Sequence, residues 1–236
     1  MLVKTRGIVL NHIKYRETSI IARIYTEQLG LQTYIVNSVR KKGPGSRIAL
    51  FQPLTLLEMV VYPSAHGGIT RISEFKCAHP FQTLLSDIRK STVALFLSEV
   101  IAVSVREEEE NVPLFKFLYQ SIVALDRQER GFENFHLAFL LQLAHFLGFG
   151  AGTPAEITGQ VAFSAPAGIS SQPSVMHFQM FEGLLQQLMD NPAEAQIPNG
   201  RTRKELLNII IRFYQLHVDK MREIKSLPIL SEVLAE

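Results

Sequence analysis

The chain has 236 residues, 47% hydrophobic and 19% charged, which is enough apolar material for a core and too little charge for a disordered chain. No run reaches the roughly 18 consecutive apolar residues of a membrane span. The single cysteine, Cys77, excludes an internal disulfide framework and every Cys-rich zinc site. The net charge of +2 hides an asymmetry. Residues 1–80 carry eleven Lys/Arg against four acids (Glu17, Glu27, Glu58, Glu74), a net +7, and the rest carries 13 basic and 18 acidic residues, a net −5. Such a split predicts two domains with different partners, the first facing a polyanion. The opening Met-Leu-Val-Lys-Thr-Arg has no long apolar stretch, so no secretory leader is expected, and the cysteine usage fits a reducing cytosol.

The first 80 residues read as strands. Residues 8–13 follow Gly7 and are β-rich, 19–26 form a second run, and 31–39 a third centred on Tyr34, Ile35 and Val36. Residues 54–62 make a fourth, closed by Pro63, and 68–77 a fifth. β-Branched and aromatic residues bounded by Gly, Pro and Asn are the signals. Five short strands in this length suit a small closed barrel, which removes exposed edges. A barrel of that size is the OB-fold, with an SH3-like barrel as the alternative.

After Pro80 the period becomes helical. Phe81, Leu84, Leu85, Ile88, Val93, Phe96 and Val100 recur as one long or broken helix. Asn111 is an N-cap for a helix through Leu125, with Pro113 in its first turn. A third stripe runs from Phe132 to Leu147, and Gly148 sits where a left-handed C-cap belongs. Residues 149–175 read as a long irregular segment, with Val161-Ala162-Phe163 as a short strand. A helix follows from Val175 to Met189. Thr202-Arg203-Lys204-Glu205 matches a capping box opening the last long helix. The tail Lys225-Ser226-Leu227-Pro228-Ile229-Leu230 is expected to fold back on the bundle.

Catalytic motifs are missing. Gly43-Pro44-Gly45-Ser46 lacks the spacing and the lysine of a phosphate-binding loop. His136 and His145 are nine residues apart, on opposite faces of a helix, and do not share a metal. Glu107 to Glu110 read as a solvated acidic turn, and Cys77 as strand packing. The chain is therefore read as no enzyme. The basic set is more informative. Arg40-Lys41-Lys42 and Arg47 lie on a loop after the third strand, and Lys4, Arg6, Lys14, Arg16 and Arg23 lie on or beside the first two strands. Phosphate contacts need cations without directional chemistry, so these nine are the candidate nucleic-acid-binding residues. Tyr15, Tyr25, Tyr34 and Tyr62 are candidate stacking faces.

Several short motifs, in order along nearly the whole chain, resemble one family. They are Arg6-Gly7-Ile8-Val9-Leu10, Tyr15-x-Glu17-Thr18-Ser19, Thr26 with Gly30, Val39-Arg40-Lys41, Gln52-Pro53-Leu54 and Ile72-x-Glu74. Later come Phe139-Leu140-Leu141 with Leu147-Gly148-Phe149, Phe163 with Gly168, His217, and residues 225–230. The sequence resembles the bacterial recombination mediator RecO family of DNA repair proteins. The resemblance implies an α+β two-domain chain. Residues 1–80 would form an N-terminal OB-like five-stranded barrel that binds nucleic acid. Residues 81–236 would form an α-helical domain with an irregular insertion over about 149–176. It also implies binding of single- and double-stranded DNA and annealing of complementary strands. The partners would be RecR, single-strand-binding protein and, indirectly, the recombinase RecA, with a cytoplasmic, nucleoid-associated location and no membrane.

Many members of that family carry two C-x-x-C pairs forming a zinc ribbon. The corresponding segment here has no cysteine, and His177 is the nearest histidine, so the insertion is expected to be a degenerate, zinc-free ribbon, and no cofactor is expected. The acidic tail of single-strand-binding protein needs an apolar pocket beside cations. Phe213, Leu216 and Ile209 with Arg203, Lys204, Arg212, Lys220 and Arg222 are the candidates, and Arg201, Arg203 and Lys204 are an alternative DNA contact. Two competing readings are an adaptor whose barrel binds a protein or peptide, and a hydrolase or transferase with a dispersed site, which the absence of any motif disfavours.

Overall fold

A computed structural model of the chain describes residues 2–40, 43, 46–63, 68–164, 175–192, 194–219, 221 and 224–235, the side chains of 175–179 excepted. The chain forms two compact units, Met1–Arg127 and Gln128–Glu236. The division therefore falls two helices later than the change of period at Pro80, because those two helices pack with the strands.

In the first unit, β1 (Val3–Tyr15), β2 (Ser19–Thr26), β3 (Gly30–Val36), β4 (Leu56–Val61) and β5 (Ile69–Cys77) close a barrel in the order β1-β2-β3-β5-β4. This is the five-stranded barrel the sequence predicts. Strand β1 serves two neighbours: Val3 to Ile8 pair with β4, and Gly7 to Tyr15 pair with β2. Gly7 sits at the crossing because a Cβ there would come within 2.5 Å of Met59 Cε and 2.7 Å of Ile24 Cγ2. A bulge between Val9 and Asn11 then resets which side chains face inward. A short parallel pairing, Thr33 to Ile35 with Ile69 to Arg71, closes the barrel. Val9, Ile20, Ile24, Tyr34, Phe51 and Met59 fill its interior.

The outer side of β1 packs on α1 (Ile88–Ser104), and Tyr25 of β2 meets Phe115 of α2 (Val112–Arg127) with ring centroids 6.2 Å apart. Ile8, Leu10, Tyr25 and Leu31 are buried yet stand outside the barrel's interior cluster. Asn111 caps α2 as expected, its Oδ1 accepting from Leu114 N at 3.1 Å.

The helical spacing over residues 81–87 does not produce a helix. Asp87 caps α1 by accepting from the N–H groups of Arg89 and Lys90, so α1 begins at Ile88. The preceding turn is held by Asp126, a buried carboxylate in the last turn of α2. It accepts from the backbone N–H groups of Gln82 at 3.1 Å and of Thr83 and Leu84 at 2.9 Å. Burial alone would raise its pKa, but these three donors and nearby His79 outweigh that and hold it below the usual range.

The second unit contains α3 (Phe135–Phe146), α4 (Pro154–Phe163), α5 (Val175–Asp190), α6 (Gly200–His217) and α7 (Ser226–Val233). Gly148 takes φ +83° after α3, as a left-handed cap requires. Helix α4 replaces the first part of the irregular segment expected over 149–175, including the short strand at 161–163, and residues 165–174 of that segment lie outside the described residues. Pro154 opens the helix, and Glu156 reaches back to Gly152 N at 2.9 Å and to the Thr153 hydroxyl at 3.3 Å. The signal Thr153-x-x-Glu156 was in the sequence. The opposite error occurs at α6. Its cap is Asn199, accepting from Thr202 N at 2.9 Å, so Thr202 lies inside the helix and Glu205 pairs with Arg201 at 3.2 Å. The tail does fold back: Leu230 of α7 is fully buried, and Leu234 O accepts from Arg203 Nη1 at 2.7 Å.

Among the described residues no helix is long and apolar enough to cross a membrane, and no three His, Cys, Asp or Glu are placed to hold a metal ion. A zinc ribbon does not fit the donors present. Helix α4 has neither Cys nor His, and Cys77 lies at the end of β5. Cys77 is exposed, which corrects its reading as strand packing.

Candidate nucleic-acid interface

The barrel sorts the nine candidate cations into separate environments. At the end made by the β1–β2 hairpin, Arg40 N donates to Thr18 O at 3.0 Å and Arg40 Nη1 donates to Arg16 O at 3.3 Å. Arg47 N donates to Val39 O at 2.9 Å. These bonds tie the loop after β3 to the hairpin, so Lys14, Arg16, Arg40 and Arg47 share one end of the barrel. Arg16 and Ser38 adopt φ +52° and +58°, which turn the chain tightly there. None of the four forms an ion pair among the described residues, and Glu17 is the one acid on the hairpin tip. Lys41 and Lys42 lie outside the described residues but follow Arg40 directly in the chain.

The opposite rim is a mixed-charge cluster. Arg6 is bidentate to Glu27, Nε to Oε2 at 2.8 Å and Nη2 to Oε1 at 2.6 Å, and its Cζ sits 4.9 Å from the Tyr119 ring centroid. The Arg6 hydrogen bond keeps Glu27 below the usual carboxylate range. Lys76 pairs with Glu58 at 2.9 Å, and exposed Lys4 adds to the field on that carboxylate. Arg23 Nη1 donates to Ala102 O at 3.3 Å, near the carbonyl end of α1, where a cation is favoured. Arg6 and Arg23 are thus engaged by the fold, because acceptors distant in sequence reach them first. The stacking candidates divide the same way. Tyr25 and Tyr34 are fully buried and their hydroxyls are pushed up by burial, so neither offers a face; Tyr15 and Tyr62 remain accessible.

Comparison with known proteins agrees with this architecture. The family described as "Recombination protein O N terminal" matches residues 1–81, and "Recombination protein O C terminal" matches residues 85–156. A protein of Flavobacterium johnsoniae named DNA repair protein RecO is 35% identical over 242 residues, covering 100% of both chains. Its namesake in Bacteroides fragilis is 37% identical over 240 residues, covering 99% of both. The chain belongs to the RecO family. That membership makes it a DNA repair protein of the recombination class, with an OB-fold N-terminal domain.

In this RecO-family chain the helical candidates are also sorted. Arg203 is half-buried and donates to Asn134 Oδ1 at 3.0 Å as well as to Leu234 O, so it braces α6 against neighbouring segments. Phe213 is buried, packed against Phe149 and His217, and is bundle core rather than a pocket wall. Lys220 and Arg222 lie outside the described residues. Lys204 and Arg212 are exposed, Leu216 is 44% exposed and Ile209 is half-buried. Ile209, Arg212 and Leu216 recur at i, i+3 and i+7, so a narrower accessible stripe survives. His136 is buried and His145 exposed, so the two do not share a site.

The contacts that sequence reasoning missed are long-range. Asp126 to residues 82–84 and Arg47 to Phe75 join residues 28 to 44 apart, and no local motif announces either.

Proposed function

We propose that this RecO-family chain is a DNA-binding recombination mediator without enzymatic activity. It binds single-stranded DNA at the hairpin end of its barrel, also engages duplex, and anneals complementary strands. The observation that carries this is the acid-poor end where Arg40 ties the 37–47 loop to the β1–β2 hairpin and gathers Lys14, Arg16, Arg40 and Arg47. Cations with unfilled hydrogen-bonding capacity follow a phosphate backbone. Family membership supports RecR as the partner in loading RecA on DNA coated with single-strand-binding protein, in the bacterial cytoplasm and at the nucleoid. The Ile209–Arg212–Leu216 stripe supports a contact with that protein's acidic tail. No metal or organic cofactor enters the reading.

A mobility-shift assay with a labelled single-stranded oligonucleotide at two salt concentrations tests it. Neutralising about four phosphates gives a log–log salt slope of roughly −3. A salt-independent interaction, or none, favours the adaptor reading, in which the barrel holds a protein instead.

A further inference from the structure

The outer face of the barrel offers little on which a base can stack. Across β1, β2, β3 and β5, one row in register reads Ile13, Ile21, Ile35, Arg71. Branched aliphatic side chains have no planar face. Two of the four barrel tyrosines, Tyr25 and Tyr34, are buried. A planar surface is nevertheless available at the basic end. The Arg47 guanidinium carbon lies 4.1 Å from the centroid of Phe75, over the ring. Phe75 is itself braced edge-on by buried Phe51, with centroids 5.0 Å apart and an interplanar angle of 69°. The Arg47 backbone is fixed at both ends, its N–H on Val39 O at 2.9 Å and its carbonyl accepting from Leu50 N at 3.1 Å.

Arg47 itself is exposed, and no carboxylate among the described residues pairs with it. A guanidinium held on an aromatic ring has one face covered and the other open to solvent, with its N–H groups directed outward around the rim. That arrangement is pre-organised for a flat, electron-rich partner that also carries an anion. A nucleobase with its attached phosphate has both properties, and base stacking on aromatic or guanidinium planes tolerates any sequence.

We propose that Arg47, laid on Phe75, is a base-stacking subsite for one unpaired nucleotide at the basic end of the barrel. The proposal rests on the DNA-binding reading and refines it: the site takes the base of a single strand as well as its phosphate. Duplex DNA, with its bases stacked internally, gains only the phosphate part. A second pair of the same kind, Arg16 over Tyr15 at 5.2 Å, stands on the hairpin tied to this loop.

The test uses the full chain, a single-stranded thymidine oligonucleotide and a matching oligonucleotide of abasic sites. Arg47→Lys keeps the charge and removes the plane, so the salt slope stays unchanged while affinity for the normal oligonucleotide falls about tenfold. Affinity for the abasic strand is weak in the wild type and equal in the variant. A 2-aminopurine placed in the strand is quenched by the wild type and not by Arg47→Lys. Phe75→Leu, which leaves the guanidinium without its ring, reproduces the loss. Equal binding of normal and abasic strands by the wild type, or full affinity in Arg47→Lys, overturns the subsite while salt-dependent binding stands. Loss of salt-dependent binding to every strand instead overturns the parent reading, and this proposal with it.

Discussion

Arg47 at the hairpin end of the barrel and Arg203 in the helical unit are the same side chain put to opposite uses. Arg203 has Asn134 Oδ1 and Leu234 O within 3.0 Å and is held in the bundle. Arg47 has a ring beneath it and no ion pair among the described residues. Arg6 lies between these extremes, partly exposed but held in a bidentate pair by Glu27. A count of cations therefore does not locate a ligand. What matters is whether the protein's own acceptors already hold the side chain, since Arg6 and Arg203 each commit two of five N–H donors to the fold and cannot be re-aimed without breaking a charge-assisted bond.

The sharpest way to break this contrast is charge reversal at both places. Arg16, Arg40 and Arg47 changed together to Glu should weaken single-stranded DNA binding by about 100-fold or more near physiological salt, with little change in melting temperature. The result would fail the comparison if affinity held, and a shift assay with parallel thermal melts reads both quantities.

The helical unit should show its internal chemistry through acid. Burial, and next the charge of Arg203, lower the pKa of His136 from 6.5 to about 3. Between those values the unfolded chain binds the extra proton. The contribution is therefore fully present above about pH 6.5, is lost as pH falls, and levels off near pH 3, at up to about 1.4 kcal/mol per pH unit. In the barrel unit Glu27 and Asp126 are depressed carboxylates, whose stabilisation persists until pH falls below their ordinary range. Urea unfolding at pH 7, 5.5 and 4.5, followed by proteolysis mapped to each unit, should show residues 128–236 loosening first. Simultaneous loss in both units would count against it.

Arg6→Ala should cost about 1–2 kcal/mol of stability, allowing for solvent screening of a partly exposed pair, and change DNA affinity less than threefold. A large affinity loss would return Arg6 to the interface. The smallest effect belongs to Cys77: Cys77→Ser should alter stability by less than about 0.5 kcal/mol, and the native thiol should react with a maleimide without denaturant.

The barrel was legible because its strands carry dense β-branched runs with Gly and Asn between them, and β2 falls at residues 19–26 as read. The cap at Asn111 and the αL turn at Gly148 were equally local. Where two local signals competed, periodicity misled. Thr202 to Glu205 looked like a capping box, but Asn199 three residues earlier took the cap. Phe81 to Leu85 kept helical spacing, but Asp126 claimed the N–H groups of the turn. Arg6 and Arg203 could not be sorted from Arg47 by sequence, because Glu27, Asn134 and Phe75 are distant partners brought in only by the completed fold.

The two helices that complete the first unit also set when it can fold. Strands β1 to β5 are synthesised before α1 and α2, yet Tyr25 is covered by Phe115, Leu31 N finds its acceptor at Glu107 O, and the turn after the barrel is held by Asp126. At about 5–20 residues per second, the last of these arrives some 2–10 seconds after residue 80 has been added. During that interval a nascent barrel presents Ile8, Leu10, Tyr25 and Leu31 without their cover. Nascent chains halted once residue 80 has cleared the ribosome should therefore recruit ribosome-associated chaperones, and chains extended until Arg127 has cleared it should release them.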